Sequence, residues 1–206
     1  MILCYVDAKT TGYDVKRCNL IQLTGCIEKD GVVVEKFSFK MKPYTSDVEI
    51  YKDALEKCGF TQDQIYTFDD YKDCFNQFWE IIERYGDRFS KKTDEKIFLV
   101  GYNVQFVVDF MLQWFKENSA NKKEYLYGNG FFNMFFIPGI DVMQFAMASL
   151  MEKRIGMENF QLGTVCKKFG LSWDDDEAKD AMYVVKKIRA LFHTLTGRKY
   201  LERKTE

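Results

Sequence analysis

The chain has 206 residues, a formal net charge of −1, and 47% hydrophobic residues including 19 Phe. That is enough for one domain with a sizeable core, short for two, and too apolar for intrinsic disorder. A near-neutral balance excludes a protein that coats nucleic acid through bulk charge; such a contact requires a local patch.

In chain order, Ile2 to Val6 is a continuous apolar run, as expected for a strand buried on both faces. Gly12 to Cys18 reads as a loop and Leu20 to Ile27 as a second strand. The Asp30-Gly31 pair is a hairpin turn signal, and Val33 to Met41 completes the hairpin before Pro43. Residues 46 to 58 and 69 to 85 have helical spacing, with Ser46 and Asp69 or Asp70 as N-caps. In the second, Tyr71, Phe75, Phe78, Trp79 and Ile82 form one apolar stripe. Ile97 to Val100 is a short buried strand that runs into Gly101-Tyr102-Asn103, and a helix follows over Val104 to Phe115.

Residues 118 to 130 read as a mobile loop or insertion. Phe131 to Ile137 reads as an aromatic strand or loop, either core or an exposed docking edge. Helices are expected over Asp141 to Glu152, Glu158 to Phe169 and Asp176 to Leu195. There is no internal repeat and no linker. The order implies one α/β domain over residues 1 to 206: a mixed sheet opening with an antiparallel three-stranded meander, with helices on its faces.

The six cysteines include no Cys-x-x-Cys pair, and the single His, His193, stands near the end of the last helix, where it suits the helix dipole. The usual structural-zinc ligand sets are absent. No apolar stretch reaches the length of a membrane span, and the first residues read as a strand, not a signal peptide. Reduced thiols and a cytoplasmic location are the expectation. Lys186, Lys187, Arg189, Arg198, Lys199, Arg203 and Lys204 form the most basic stretch, which reads foremost as a solvated helix face and tail.

Three ordered segments carry a resemblance. Asp7-Ala8-Lys9-Thr10-Thr11-Gly12 ends the first strand; Gly101-Tyr102-Asn103-Val104-Gln105-Phe106-Val107 joins a strand to a helix; Ala178-Lys179-Asp180-Ala181-Met182-Tyr183-Val184 opens the last helix. They are similar to the Asp-x-Glu-Thr-Thr-Gly, Gly-His/Tyr-Asn-x-x-Phe-Asp and x-His-Asp-Ala-x-x-Asp motifs of the DnaQ-like, or DEDD, 3′–5′ exonuclease superfamily, which includes the polymerase III proofreading subunit. Ile140-Asp141-Val142-Met143 and Asn159-Phe160-Gln161-Leu162 also look like family text. The resemblance spans nearly the whole chain and implies an RNase H-like fold, helices on both faces of the sheet.

Active members of the family hold two Mg²⁺ or Mn²⁺ ions with four carboxylates, which clamp the attacking and leaving oxygens of the phosphodiester. By the resemblance, Asp7 is the one retained ligand; Lys9 replaces the glutamate, Val107 and Val184 two aspartates, and Lys179 the histidine. Asp109, Asp180 and the Asp174-Asp175-Asp176 run are the carboxylates that a slipped alignment could recruit. No metal or other cofactor is therefore expected.

The resulting expectation is a catalytically inactive homologue that serves as a nucleic-acid- or protein-binding module. Alternatives are an active exonuclease with an atypical site and a structural protein that has reused the fold. Lys9, Thr10, Thr11, Gly12, Tyr102, Asn103 and Lys179 are the candidate nucleic-acid contacts, with Lys9 and Lys179 both near Asp7. Partners would be a single strand or its 3′ end, or a protein of a replication or virion complex, with no membrane. Phage origin, by resemblance, would place it in the host cytoplasm.

Overall fold

The computed structural model describes residues 1–90, 92–118 and 130–198. Five strands form one mixed sheet: β1 (Ile2–Thr10), β2 (Leu20–Lys29), β3 (Val32–Lys40), β4 (Ile97–Gly101) and β5 (Phe135–Asp141), in the order β3-β2-β1-β4-β5. The β1–β2 and β2–β3 pairs are antiparallel, whereas β4 lies parallel to β1 and β5 parallel to β4. The meander turns at Asp30 and Gly31, both with positive φ (53° and 84°), as a two-residue hairpin loop requires.

Alternation along β1 assigns its two faces. Ile2, Cys4 and Val6 join one apolar cluster; Leu3 and Tyr5 join the other. The first face is covered by α3 (Tyr71–Glu83) and α4 (Val104–Asn118), whose Phe78, Trp114 and Phe115 are almost fully buried. The second is covered by α6 (Val142–Leu150), α7 (Leu162–Lys168) and α8 (Ala181–Thr196). Two short helices, α1 (Lys52–Cys58) and α2 (Gln62–Tyr66), pack Leu55 and Ile65 onto Ile21 of β2 in a satellite cluster. A further short helix, α5 (Phe131–Met134), leads into β5.

Several local expectations need correction. The helix expected from residue 46 begins only at Lys52, because residues 49 to 51 are drawn into pairing with the first loop. The Glu49 N–H donates to the Arg17 carbonyl (2.9 Å) and the Tyr51 N–H to that of Thr11 (2.7 Å). Helix α2 was missed although its signature is present: Thr61 and Gln64 form a reciprocal capping box. The last helix starts at Ala181, not 176, because Asp180 caps it by accepting from the Met182 N–H. The helix expected from Glu158 starts at Leu162, since Asn159 closes a turn by accepting from the Gln161 N–H.

The aromatic segment is short helix then strand, with Phe131, Met134 and Phe135 buried, so these two rings and one thioether belong to the core. Residues 119 to 129 of the expected mobile loop lie outside the described residues. All six cysteines are buried and free. Among the described residues, no helix is long and apolar enough to cross a membrane.

Candidate functional site

Asp7 and Lys9 stand two residues apart near the end of β1, on the same side as Leu3 and Tyr5. Lys9 Nζ lies 3.2 Å from Asp7 Oδ2, with side chains 13% and 19% exposed. Oδ2 itself is out of contact with solvent and receives no well-aligned hydrogen bond, so the contact is an ion pair rather than a directed bond. Burial pushes the Asp7 carboxyl above the usual carboxylate range; the Lys9 charge works against that rise. Cys58, at the end of α1, is close enough that the Lys9 charge also opposes the upward push that burial gives its thiol.

The next residues close on themselves. Thr10 Oγ1 donates to the Gly12 carbonyl (2.6 Å), and Thr11 Oγ1 accepts from the Asn19 N–H (3.0 Å). Both threonines are buried. A Cβ on Gly12 would sit 2.4 Å from the Tyr51 ring and 2.6 Å from Cys18 Sγ, so only glycine permits this approach. Thr10 at the end of β1 and Thr11 and Gly12 in the loop after it are thus held by local bonds, with both hydroxyls engaged inside the protein.

At the end of β4, Tyr102 is partly buried and donates its hydroxyl to the Phe160 carbonyl (2.6 Å); burial raises its pKa. Asn103 is exposed and takes a left-handed conformation (φ 58°). Its N–H donates to Asp141 Oδ1 (3.0 Å), the same oxygen that caps α6 by accepting from the Met143 N–H (2.9 Å). One buried carboxylate therefore fixes both the strand-to-helix junction and the start of α6. Asp141→Ala is expected to cost roughly 1–3 kcal/mol, measured by urea unfolding, since it removes a cap and strands a second donor.

The expected Lys9–Asp7–Lys179 cluster is corrected to a Lys9–Asp7 pair. Lys179 lies in a short 3₁₀ turn, its ammonium 3.0 Å from Asp176 and largely exposed. Its aliphatic stem packs beside Gly59 at the end of α1. Val184 is buried in the cluster of the Tyr5 face, and Val107 in that of the opposite face.

The remaining carboxylates are occupied locally. Asp109 is exposed and accepts from Gln105 (2.7 Å), and Asp175 accepts from Trp173 Nε1 (2.9 Å). Asp174 accepts from the Asp176 and Glu177 N–H groups, which hold its pKa below the usual range. A pair of hard divalent ions does not fit this donor set. Such ions need several oxygen ligands, yet an ammonium sits against the only carboxylate of the first motif and buried isopropyl groups stand at two other positions. Among the described residues no group of three His, Cys, Asp or Glu side chains converges.

A second polar cluster escaped the sequence reading. Glu28, on β2, is 2% exposed and accepts from Arg189 Nε (2.6 Å); His193 Nε2 lies 2.9 Å from the same oxygen. The Tyr5 hydroxyl reaches both, at 3.5 Å from Glu28 and 3.3 Å from His193. His193 lies in the last turn of α8, as expected, and is in addition a buried partner of Glu28. Arg189 likewise leaves the proposed solvated basic face, and Lys187 is bonded to Ser172 (2.9 Å). Lys199, Arg203 and Lys204 lie outside the described residues. The available signal was a Glu directly after the apolar Cys26-Ile27 stretch of a strand, together with an Arg-x-x-x-His spacing on one helix face.

Neither protein-family models nor curated protein sequences give a match. Solved structures do. Exonuclease I superposes over 96% of this chain with a TM-score of 0.72 at 18% identity. The zinc-bound complex of E. coli exonuclease I with single-stranded DNA gives 0.71 at 18% identity over the same share. The complex of exonuclease I with the SSB C-terminal peptide gives 0.70 at 17% identity, also over 96%. This is a DnaQ-like exonuclease fold. The chain spans 41% of the length of each of these exonuclease I chains.

Proposed function

We propose that the chain is a DnaQ-like exonuclease homologue that does not hydrolyse phosphodiesters and works as a nucleic-acid- or protein-binding module. The observation that carries this is the Lys9 ammonium 3.2 Å from Asp7 Oδ2, at the position where the resemblance implies a metal-binding glutamate. An ammonium beside a carboxylate supplies positive charge but activates no water. Val107 and Val184 support the same reading, because a charge at either buried position would meet apolar neighbours.

Binding is inferred from the fold's relatives: exonuclease I has been captured with single-stranded DNA and with the SSB C-terminal peptide. Of the candidate contact residues on this chain, Asn103 and Lys179 are the exposed ones, and we assign them the first contacts with a strand end. Phage origin, a replication or virion complex and a host-cytoplasmic location fit the same reading.

The test is incubation of an end-labelled single strand with the full chain and Mg²⁺ or Mn²⁺. Intact strand, with retarded migration that weakens as salt is raised and on Lys179→Glu, is the expected result. Shortening of the strand that is abolished by Asp7→Ala would overturn the proposal.

A further inference from the structure

The strand β3 is an edge of the sheet, and along it runs a groove of about 300 Å³. One wall is the strand itself, residues 36 to 39; the other is a single row formed by Gln77, Glu80 and Ile81 of α3 and by Arg84, which caps its end. The direction of the strand's backbone groups follows from its far end. The Lys40 carbonyl accepts from the Asp69 N–H (3.2 Å), outside the sheet, while the Met41 N–H donates inward to Ile21 (2.9 Å). From Glu35 to Lys40 the register with β2 is unbroken. Period two then turns the N–H and C=O of Lys36 and Ser38 outward as well. Among the described residues no backbone bond occupies them. Asp69 already adds to this edge through its bridge to Met41, and the ladder stops there.

We propose that this edge pairs with the same edge of a second copy, joining two sheets into one across a two-fold axis at Phe37. In that antiparallel register Lys36 faces Ser38 of the partner, and each pair exchanges both backbone bonds. The two Lys36 ammonium groups are then offset rather than opposed, which selects this register over its neighbours. The same axis runs the two α3 helices antiparallel, so Glu80 of each copy meets Arg84 of the other. Opposite charges four residues apart on one helix are self-complementary under a two-fold, as an isologous contact requires. The groove's charges balance, Lys36 and Arg84 against Glu80 and the Glu35 that Arg84 already contacts at 2.8 Å. A strongly acidic or basic peptide has no such match here.

Sedimentation equilibrium of the full chain should show twice the chain mass. Ser38→Pro removes an outward N–H and spares the backbone bonds to β2, although it also deletes the contacts of the Ser38 hydroxyl with Thr24 (2.7 Å) and Gln22 (3.1 Å). It should weaken association at least tenfold, with Ser38→Ala as the control that loses the hydroxyl alone and stays dimeric. Glu80→Arg should do the same by opposing two arginines, as should Arg84→Glu. The exchange Glu80→Arg/Arg84→Glu should restore the dimer, because each copy again offers both signs. A monomer at every concentration, or a dimer that survives both Ser38→Pro and Glu80→Arg, would overturn the proposal. Circular dichroism of each variant identifies loss of fold, and the α3 exchange stands independently of the strand variant.

Discussion

Glu28→Ala is expected to lower stability by about 3–5 kcal/mol, since removing one member of a buried ion network leaves the others charged or polar without an acceptor. Glu28 is nearly inaccessible, and its two oxygens serve Arg189, His193 and the Tyr5 hydroxyl. These partners come from β1 and α8, so the network joins the meander to the last helix over a separation of more than 160 residues. For a chain of this size each kcal/mol shifts the melting midpoint by roughly 2–4 °C, so the loss is readable in a thermal scan. Glu28→Gln keeps one acceptor and should lose less. If Glu28→Ala melted within a degree or so of the wild type, the network would be shown to contribute little beyond its own desolvation.

Lys9→Met should cost roughly 1–3 kcal/mol at neutral pH, because the Asp7 carboxylate would lose the charge that compensates its burial. The direction with pH follows from the raised pKa of Asp7. A carboxyl that titrates higher in the folded state than in the unfolded one contributes its full stability below the unfolded carboxylate range. That contribution is lost as pH rises through the folded value. Without Lys9 the folded value climbs further, so the loss deepens toward neutral pH and fades in acid. Asp7→Asn in the same background should recover most of it. Urea unfolding at several pH values measures both, and a Lys9→Met deficit that does not change with pH would assign the effect to lost packing of the lysine stem instead.

The pairing also bears on what the site can bind. Lys9 is held against Asp7 with both side chains mostly buried, so an incoming phosphate would have to displace a carboxylate to reach it. Lys179 has only an exposed partner, Asp176, and exposed pairs hold weakly. A strand end is therefore expected to meet Lys179 first, which is why that residue is the one varied in the binding test.

Much of this was legible in the chain alone. The apolar run of β1, the Asp30-Gly31 turn and the α3 stripe are local patterns whose period is set by strand and helix geometry. They sufficed for a mixed sheet opening with an antiparallel meander, and the three motif-like segments sufficed for the exonuclease-like fold. The Lys9–Asp7 pair was also readable, because residues two apart on a strand share a face. What local pattern could not supply was partnership between distant segments. Whether Lys179 meets Asp7 or Asp176, whether His193 faces water or Glu28, and whether Thr11 offers its hydroxyl outward all depend on which neighbour arrives first in space. Burial then decides each case, since a polar group removed from water takes the nearest acceptor or donor that packing provides, and that choice is made by the tertiary structure.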